Sequence, residues 1–420
     1  MARLFKVMIQ AAVCAVILII FFFWLWAVPS VEHRPISTDA ETIARGKYLT
    51  AAGDCTSCHT TKDGAAFAGG LKLDTPFGGI YAANITPSEK GIKSMTSAEF
   101  YQVLAYGSYE TFRPLYPAMP YPSYHLVTRS DSDAIFAFLM TLTPVDKSVP
   151  RNELSFPFNI RQLVLFWNVL FAERGPYEPN MSRDVVWNRG AYLVEGLGHC
   201  GACHTPHNIF GAAEHDRALA GAPLADYEAP DIRSHALKQR GWNAEYLTEF
   251  FKTGTGPKGT AFKEMYLVVK NSLSQLTDED RLAIATYLLD LPSTPGADGN
   301  VTLVAAEGDT ADPYPEGRTL FLNNCSMCHG PRGKGVKDGA PPLAGNSTLA
   351  QVGGRNMLYA IVNGFPDPRS VPNSSPMPAF KDRLTSTQIA QLANYLRHTF
   401  AAETPNLPKF TEADIEAILK

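Results

Sequence analysis

A chain of 420 residues exceeds one ordinary domain and has room for about three, each with its own core. Its formal net charge is −4 with 19 % charged residues, so it offers neither the basic field that nucleic acid requires nor an acidic disordered tail. No nucleic-acid partner is expected.

The first element is an apolar run from Val7 to Val28, interrupted only by Gln10. At about 22 residues it is long enough, as a helix, for a hydrocarbon core of roughly 30 Å. It ends in bulky Phe21, Phe22, Phe23, Trp24 and Trp26 rather than at a small-residue cleavage site, which favours a retained anchor over a signal peptide. Arg3 and Lys6 before the run place the N-terminus in the cytoplasm and the bulk of the chain on the other side. Cys14, inside the run, is expected to be a small buried hydrophobe.

The other six cysteines fall in three Cys-x-x-Cys-His segments: Cys55, Cys58 and His59; Cys200, Cys203 and His204; Cys325, Cys328 and His329. This is the attachment sequence of c-type haem, in which both thiols bond to the porphyrin and the adjacent histidine ligates the iron. One copy could be half a zinc site or a thioredoxin-type pair. A zinc site needs a second ligand pair close by, however, and a redox pair has no use for the histidine. Three copies in matching context leave haem as the reading.

The context repeats because a short helical pattern leads into each segment: Ala44–Leu49, Asn188–Leu193 and Glu316–Phe321. Gly- and Pro-rich chain follows each segment, and each repeat closes on an amphipathic helix. Ser130, Thr277 and Thr385 are the expected N-caps, with Asp133, Asp280 and Gln388 at the capping-box position.

Each iron needs a second axial ligand, and one methionine per repeat suits it. Met119 and Met377 stand in Pro-flanked loops, Ala118-Met-Pro120 and Ser375-Pro-Met-Pro378, and Met265 is the only methionine between His204 and the third attachment segment. Met95, Met140 and Met357 fit core positions better, and His125, His199 and His207 are rival ligands.

Between the first two repeats lies one more apolar helical pattern, about Phe158 to Ala172. Ile160, Leu163, Val164, Trp167, Leu170 and Phe171 form its stripe, with Arg161 and Asn168 opposite and Leu165, Phe166 and Val169 in excess. It is a packing helix or the contact for a partner, the membrane interface or a lipid-soluble quinone.

The chain resembles the triple-haem cytochrome c subunits of membrane-bound bacterial dehydrogenases that oxidise alcohols, aldehydes or sugars. The resemblance covers about residues 40 to 400 and is most specific at Leu115–Tyr124, Trp187–Pro206 and Cys325–Gly335. It implies a bacterial inner-membrane location with haem domains on the periplasmic side. It also implies three covalently bound haem c groups, with Met119, Met265 and Met377 matching the family's ligands. A catalytic dehydrogenase subunit is the implied partner, with a small subunit as a further candidate, and electrons pass to ubiquinone in the membrane.

The expected fold is all-α, three tandem cytochrome c-type haem domains behind an N-terminal transmembrane helix. Its parts are an anchor at 1–30, haem domains at 40–145, 181–292 and 313–402, an apolar connector at 146–180, a linker at 293–312 and a tail at 403–420. No catalytic residues are assigned, since substrate oxidation belongs to another subunit. The competing readings are a free-standing electron conduit between respiratory complexes and a multihaem peroxidase-type enzyme.

Overall fold

In the computed structural model the described residues are 2–25, 28–108, 110, 113–291, 312–336, 339–367, 371–372, 376–401 and 407–419. The chain divides into two compact units, the first Met1–Pro179 with Glu195–His199 and Asn208–Ala212, the second the remainder. The linker expected at 293–312 lies outside the described residues except for Asp312.

The N-terminal run is helical over Ala2–Leu25. No helix among the described residues is long and apolar enough to cross a membrane. This overturns the N-terminal transmembrane anchor and with it the single-pass inner-membrane placement. The expected run extended to Val28, and there the chain is irregular, as a residue ahead of proline tends to be. Arg3 and Lys6, which precede the apolar run, belong to the same helix. Cys14 is exposed, not a buried hydrophobe.

Each repeat is built on a crossing of its leading and closing helices. In the first unit Ala40–Ala52 packs on Arg129–Leu139. In the second unit Val185–Ala191 packs on Asp278–Asp290, and Pro315–Asn324 on Ser386–Phe400. A glycine makes each crossing possible: a β-carbon on Gly46, Gly190 or Gly317 would overlap the carbonyl of Ala134, Ala283 or Gln391. Arg45 and Arg189, each beside its glycine, pair with Asp131 and Asp280 in the first turn of the opposing helix.

Thr277 and Thr385 cap as expected, and Thr385 with Gln388 forms a full capping box. In the first repeat Thr128, not Ser130, is the N-cap, its hydroxyl accepting from the Asp131 amide. Asp133, expected to close a box, bonds Arg129 at 2.8 Å instead.

The all-α expectation also needs correction. Lys72–Thr75, Gly78–Tyr81 and Glu153–Leu154 form a three-stranded antiparallel sheet. Two-stranded ribbons pair Ala222–Leu224 with Tyr227–Ala229 and Thr255–Gly256 with Gly259–Thr260. Tight turns in the Gly- and Pro-rich chain after the first and second attachment segments bring extended residues back alongside one another.

The connector helix is shorter than expected, a 3₁₀ turn Arg161–Leu163 running into Val164–Phe171. Its buried face is Val164, Leu165 and Asn168, while Leu163, Phe166 and Leu170 are exposed. Asn168, expected outside, is buried because the Tyr121 hydroxyl donates to its Oδ1 at 2.6 Å.

Candidate haem sites

Each attachment segment forms a short helix after its leading helix, Cys55–His59, Gly201–His204 and Ser326–His329, with a π-helical stretch Tyr192–Leu197 between the two in the second repeat. A tight helical turn carries the two cysteines and the histidine to the same side, the condition for two thioether bonds and one ligation.

The three histidines are held alike. His59 Nδ1 lies 2.6 Å from the carbonyl oxygen of Ala83, His204 Nδ1 2.7 Å from that of Pro230, and His329 Nδ1 2.8 Å from that of Pro341. A carbonyl only accepts, so Nδ1 carries the proton and Nε2 of the neutral ring keeps its lone pair for a metal. Burial lowers the pKa of all three rings, which keeps them neutral.

In the first unit Cys55, Cys58, His59 and Met119 line one cavity of about 860 Å³. Its apolar walls include Ile80, Phe100, Leu104, Val127, Ile135 and Leu139, and its polar members include the cations Lys90, Arg113 and Arg161 and the acids Asp54 and Glu99. That combination suits a flat apolar macrocycle carrying acidic side groups. Met95, expected in the core, lines the same cavity, so two thioethers reach it.

Sequence reasoning missed several residues at this site. Asp54, left-handed at φ 51° and N-terminal to the cysteines, is buried, and desolvation pushes its carboxyl up to about 7 against a hydrogen bond from Ser57. Tyr124 donates to the carbonyl of Gly53 at 2.6 Å and meets the edge of His199. His199 abuts Cys200 in sequence yet lines the first cavity. The rival ligand His125 is placed elsewhere, its Nδ1 2.8 Å from the carbonyl of Gly175. His207 is exposed, in a β-bridge with Ala213.

In the second unit Met265 stands in the first turn of the helix Lys263–Asn271, half-buried rather than in a loop. Met377 pairs with Phe365 through two backbone hydrogen bonds, and it packs against the third-repeat core that contains Cys325. Met357 is in that core as expected, whereas Met140 is exposed at a helix end. A cavity of about 400 Å³ in this unit, lined by Glu228, Asp231, His235 and Arg240, contains none of the expected site residues.

Burial raises the leading thiols, Cys55 and Cys200 to about 12 and Cys325 to about 11. A thiol-exchange site has its nucleophile lowered, the opposite direction. Among the described residues no three His, Cys, Asp or Glu side chains converge as a zinc site needs.

A cytochrome c family model matches residues 314–400, which hold the third attachment segment and Met377. The chain is 35 % identical over 396 residues to the fructose dehydrogenase cytochrome subunit of Gluconobacter japonicus, covering 88 % of this chain and 81 % of that protein. It belongs to the family of dehydrogenase cytochrome c subunits. It is also 34 % identical over 399 residues to the cytochrome c subunit of the alcohol dehydrogenase (quinone) of Gluconacetobacter polyoxogenes, covering 90 % of this chain and 84 % of that one. A nicotinate dehydrogenase subunit of Pseudomonas putida is 40 % identical over 376 residues, 88 % of this chain, but the chain spans only 31 % of that longer protein. Membership in the family implies covalently bound haem c.

Proposed function

We propose that this chain is an electron carrier with three haem c groups, one in each of three cytochrome c-type domains at 40–145, 181–292 and 313–402. It accepts electrons from a catalytic dehydrogenase subunit and passes them to ubiquinone. Cys55 with Cys58, Cys200 with Cys203 and Cys325 with Cys328 attach the haems. His59 and Met119, His204 and Met265, and His329 and Met377 are the axial pairs.

The observation that carries this reading is the threefold histidine arrangement, with Nδ1 hydrogen-bonded to a backbone carbonyl and Nε2 left to ligate. Haem iron, when bound, cycles between ferrous and ferric states and so moves one electron at a time. The chain's own residues attach it, orient its histidine and wall it from water. The fructose and alcohol dehydrogenase relatives are named as cytochrome subunits, which supports a separate subunit as the site of substrate oxidation. The quinone in the name of the alcohol dehydrogenase supports ubiquinone as acceptor.

The test is to purify the chain from its native host with whatever binds it, add alcohols, aldehydes and sugars in turn, and record the haem absorption. A substrate that reduces three haems per chain, reoxidised by a ubiquinone analogue, is the expected result. Haems that stay oxidised with every copurified partner and substrate would refute the dehydrogenase assignment.

A further inference from the structure

The second and third attachment segments share one compact unit, and the residues that join them lie outside both. Tyr227 and Phe262 come from the second repeat, Tyr359 and Phe365 from the third. Ring centroids are 5.7 Å apart for Tyr227 and Phe262, 5.5 Å for Tyr227 and Tyr359, 5.2 Å for Phe262 and Phe365, and 6.1 Å for Tyr359 and Phe365. Tilted and edge-on contacts at these distances are the favoured arrangement for ring quadrupoles. Lys263 sets its ammonium 4.4 Å from the Tyr227 ring centre and 4.8 Å from that of Tyr359, so a single cation engages a ring from each repeat. Its backbone is left-handed, φ 49°, a conformation that a lysine holds only where its surroundings enforce it.

Hydrogen bonds lock the same junction. Buried Asn356 accepts from the Glu228 amide and donates to the Glu228 carbonyl, both at 2.9 Å, as a neighbouring strand would. The Ser347 amide donates to the carbonyl of Lys258 at 2.7 Å, and Trp242 Nε1 donates to Ser347 Oγ at 3.1 Å.

The ends of the cluster reach both sites. The Tyr227 hydroxyl donates to Glu264, the residue before Met265, and the strand of Tyr227 pairs with Ala222–Leu224, which packs on the Gly201–His204 attachment helix. Phe262 is the N-cap residue of the helix that bears Met265. Phe365 exchanges backbone hydrogen bonds of 2.8 and 3.2 Å with Met377.

We propose that this aromatic and hydrogen-bonded joint locks the second and third repeats into one rigid body and fixes the separation across which they exchange electrons, with Tyr359 and Asn356 as positioning residues. The inference rests on the electron-carrier reading above. Exchange of one electron oxidises one site as it reduces the other and breaks no bond. The protein therefore has to supply only a short, constant separation, because tunnelling falls steeply with distance. The sequence between the repeats has no apolar period, so alignment falls to the joint rather than to the linker.

The experiment uses the full haem-bearing chain and the variants Tyr359→Leu, Asn356→Leu and the conservative Tyr359→Phe. One readout is hydrogen exchange at the Ser347 amide, which crosses the joint but touches neither substituted residue. The other is electron redistribution between haems after pulsed reduction. Both leucine variants should exchange Ser347 about tenfold faster, the joint having become a lower-energy opening, and should redistribute electrons severalfold more slowly. Haem content and the individual potentials should stay unchanged, and Tyr359→Phe should match the unaltered chain. Unchanged exchange at Ser347 in both leucine variants overturns the joint, and faster exchange with unchanged redistribution overturns its role in electron transfer. Absence of haem from the unaltered chain is a separate result, and it strikes the electron-carrier reading itself.

Discussion

Gly46 lies against the carbonyl of Ala134 with no room for a β-carbon, and Gly190 against Ala283 and Gly317 against Gln391 repeat the contact. Alanine normally gains about 1 kcal/mol over glycine inside a helix. Here the overlap with backbone reverses the sign. Gly46→Ala, Gly190→Ala and Gly317→Ala should each destabilise their own repeat by roughly 1–3 kcal/mol as the helices are forced apart. Calorimetry of the three variants checks this, and an unchanged or raised melting temperature counts against the crossing.

The axial assignments separate by potential. A second histidine holds ferric iron better than a thioether does, so Met265→His and Met377→His should each lower one of three midpoint potentials and leave two in place. Redox titration reads this directly. In the first repeat Met95 and Met119 compete for one cavity. Met119→Leu should abolish one thioether-to-iron charge-transfer band and Met95→Leu should not.

Asp54 gives the first repeat a pH dependence. Its folded pKa of about 7 stands above the ordinary carboxyl value of 3.8. The folded state therefore holds the proton more tightly than the unfolded one. Its contribution to stability is fully present below about 4 and is lost as pH rises to 7, at up to about 1.4 kcal/mol per pH unit. Asp54→Asn should flatten the pH profile of unfolding across that window. A slope that survives the substitution assigns the effect to another group.

The exposed apolar positions Phe166 and Leu170 on the connector helix are where a lipid-soluble acceptor could approach. Replacing both by serine should reduce ubiquinone reduction severalfold while ferricyanide reduction and haem content hold. If both acceptors fall together, or neither changes, the quinone is served elsewhere.

What the sequence determined by itself was local. Cys-x-x-Cys-His binds through residues within one helical turn, and the Thr277 and Thr385 caps bond amides three residues on, so spacing was sufficient to find them. The apolar run at the N-terminus was equally visible and is helical over Ala2–Leu25, but no helix among the described residues is long and apolar enough to cross a membrane. Tertiary structure decided whatever depends on distant partners. The carbonyls that hold the histidines stand 24, 26 and 12 residues away, and no local pattern marks Ala83, Pro230 or Pro341. Asn168 looked like a solvent residue until Tyr121 supplied its hydrogen bond from 47 positions away. His199 adjoins the second attachment segment in the chain but faces the first cavity. The joint between the second and third repeats draws rings from positions 227 to 365, and only folding brings them within 5 to 7 Å. Covalent attachment and capping are short-range and therefore written in spacing, whereas burial, ring packing and the orientation of a ligand depend on which remote surfaces meet.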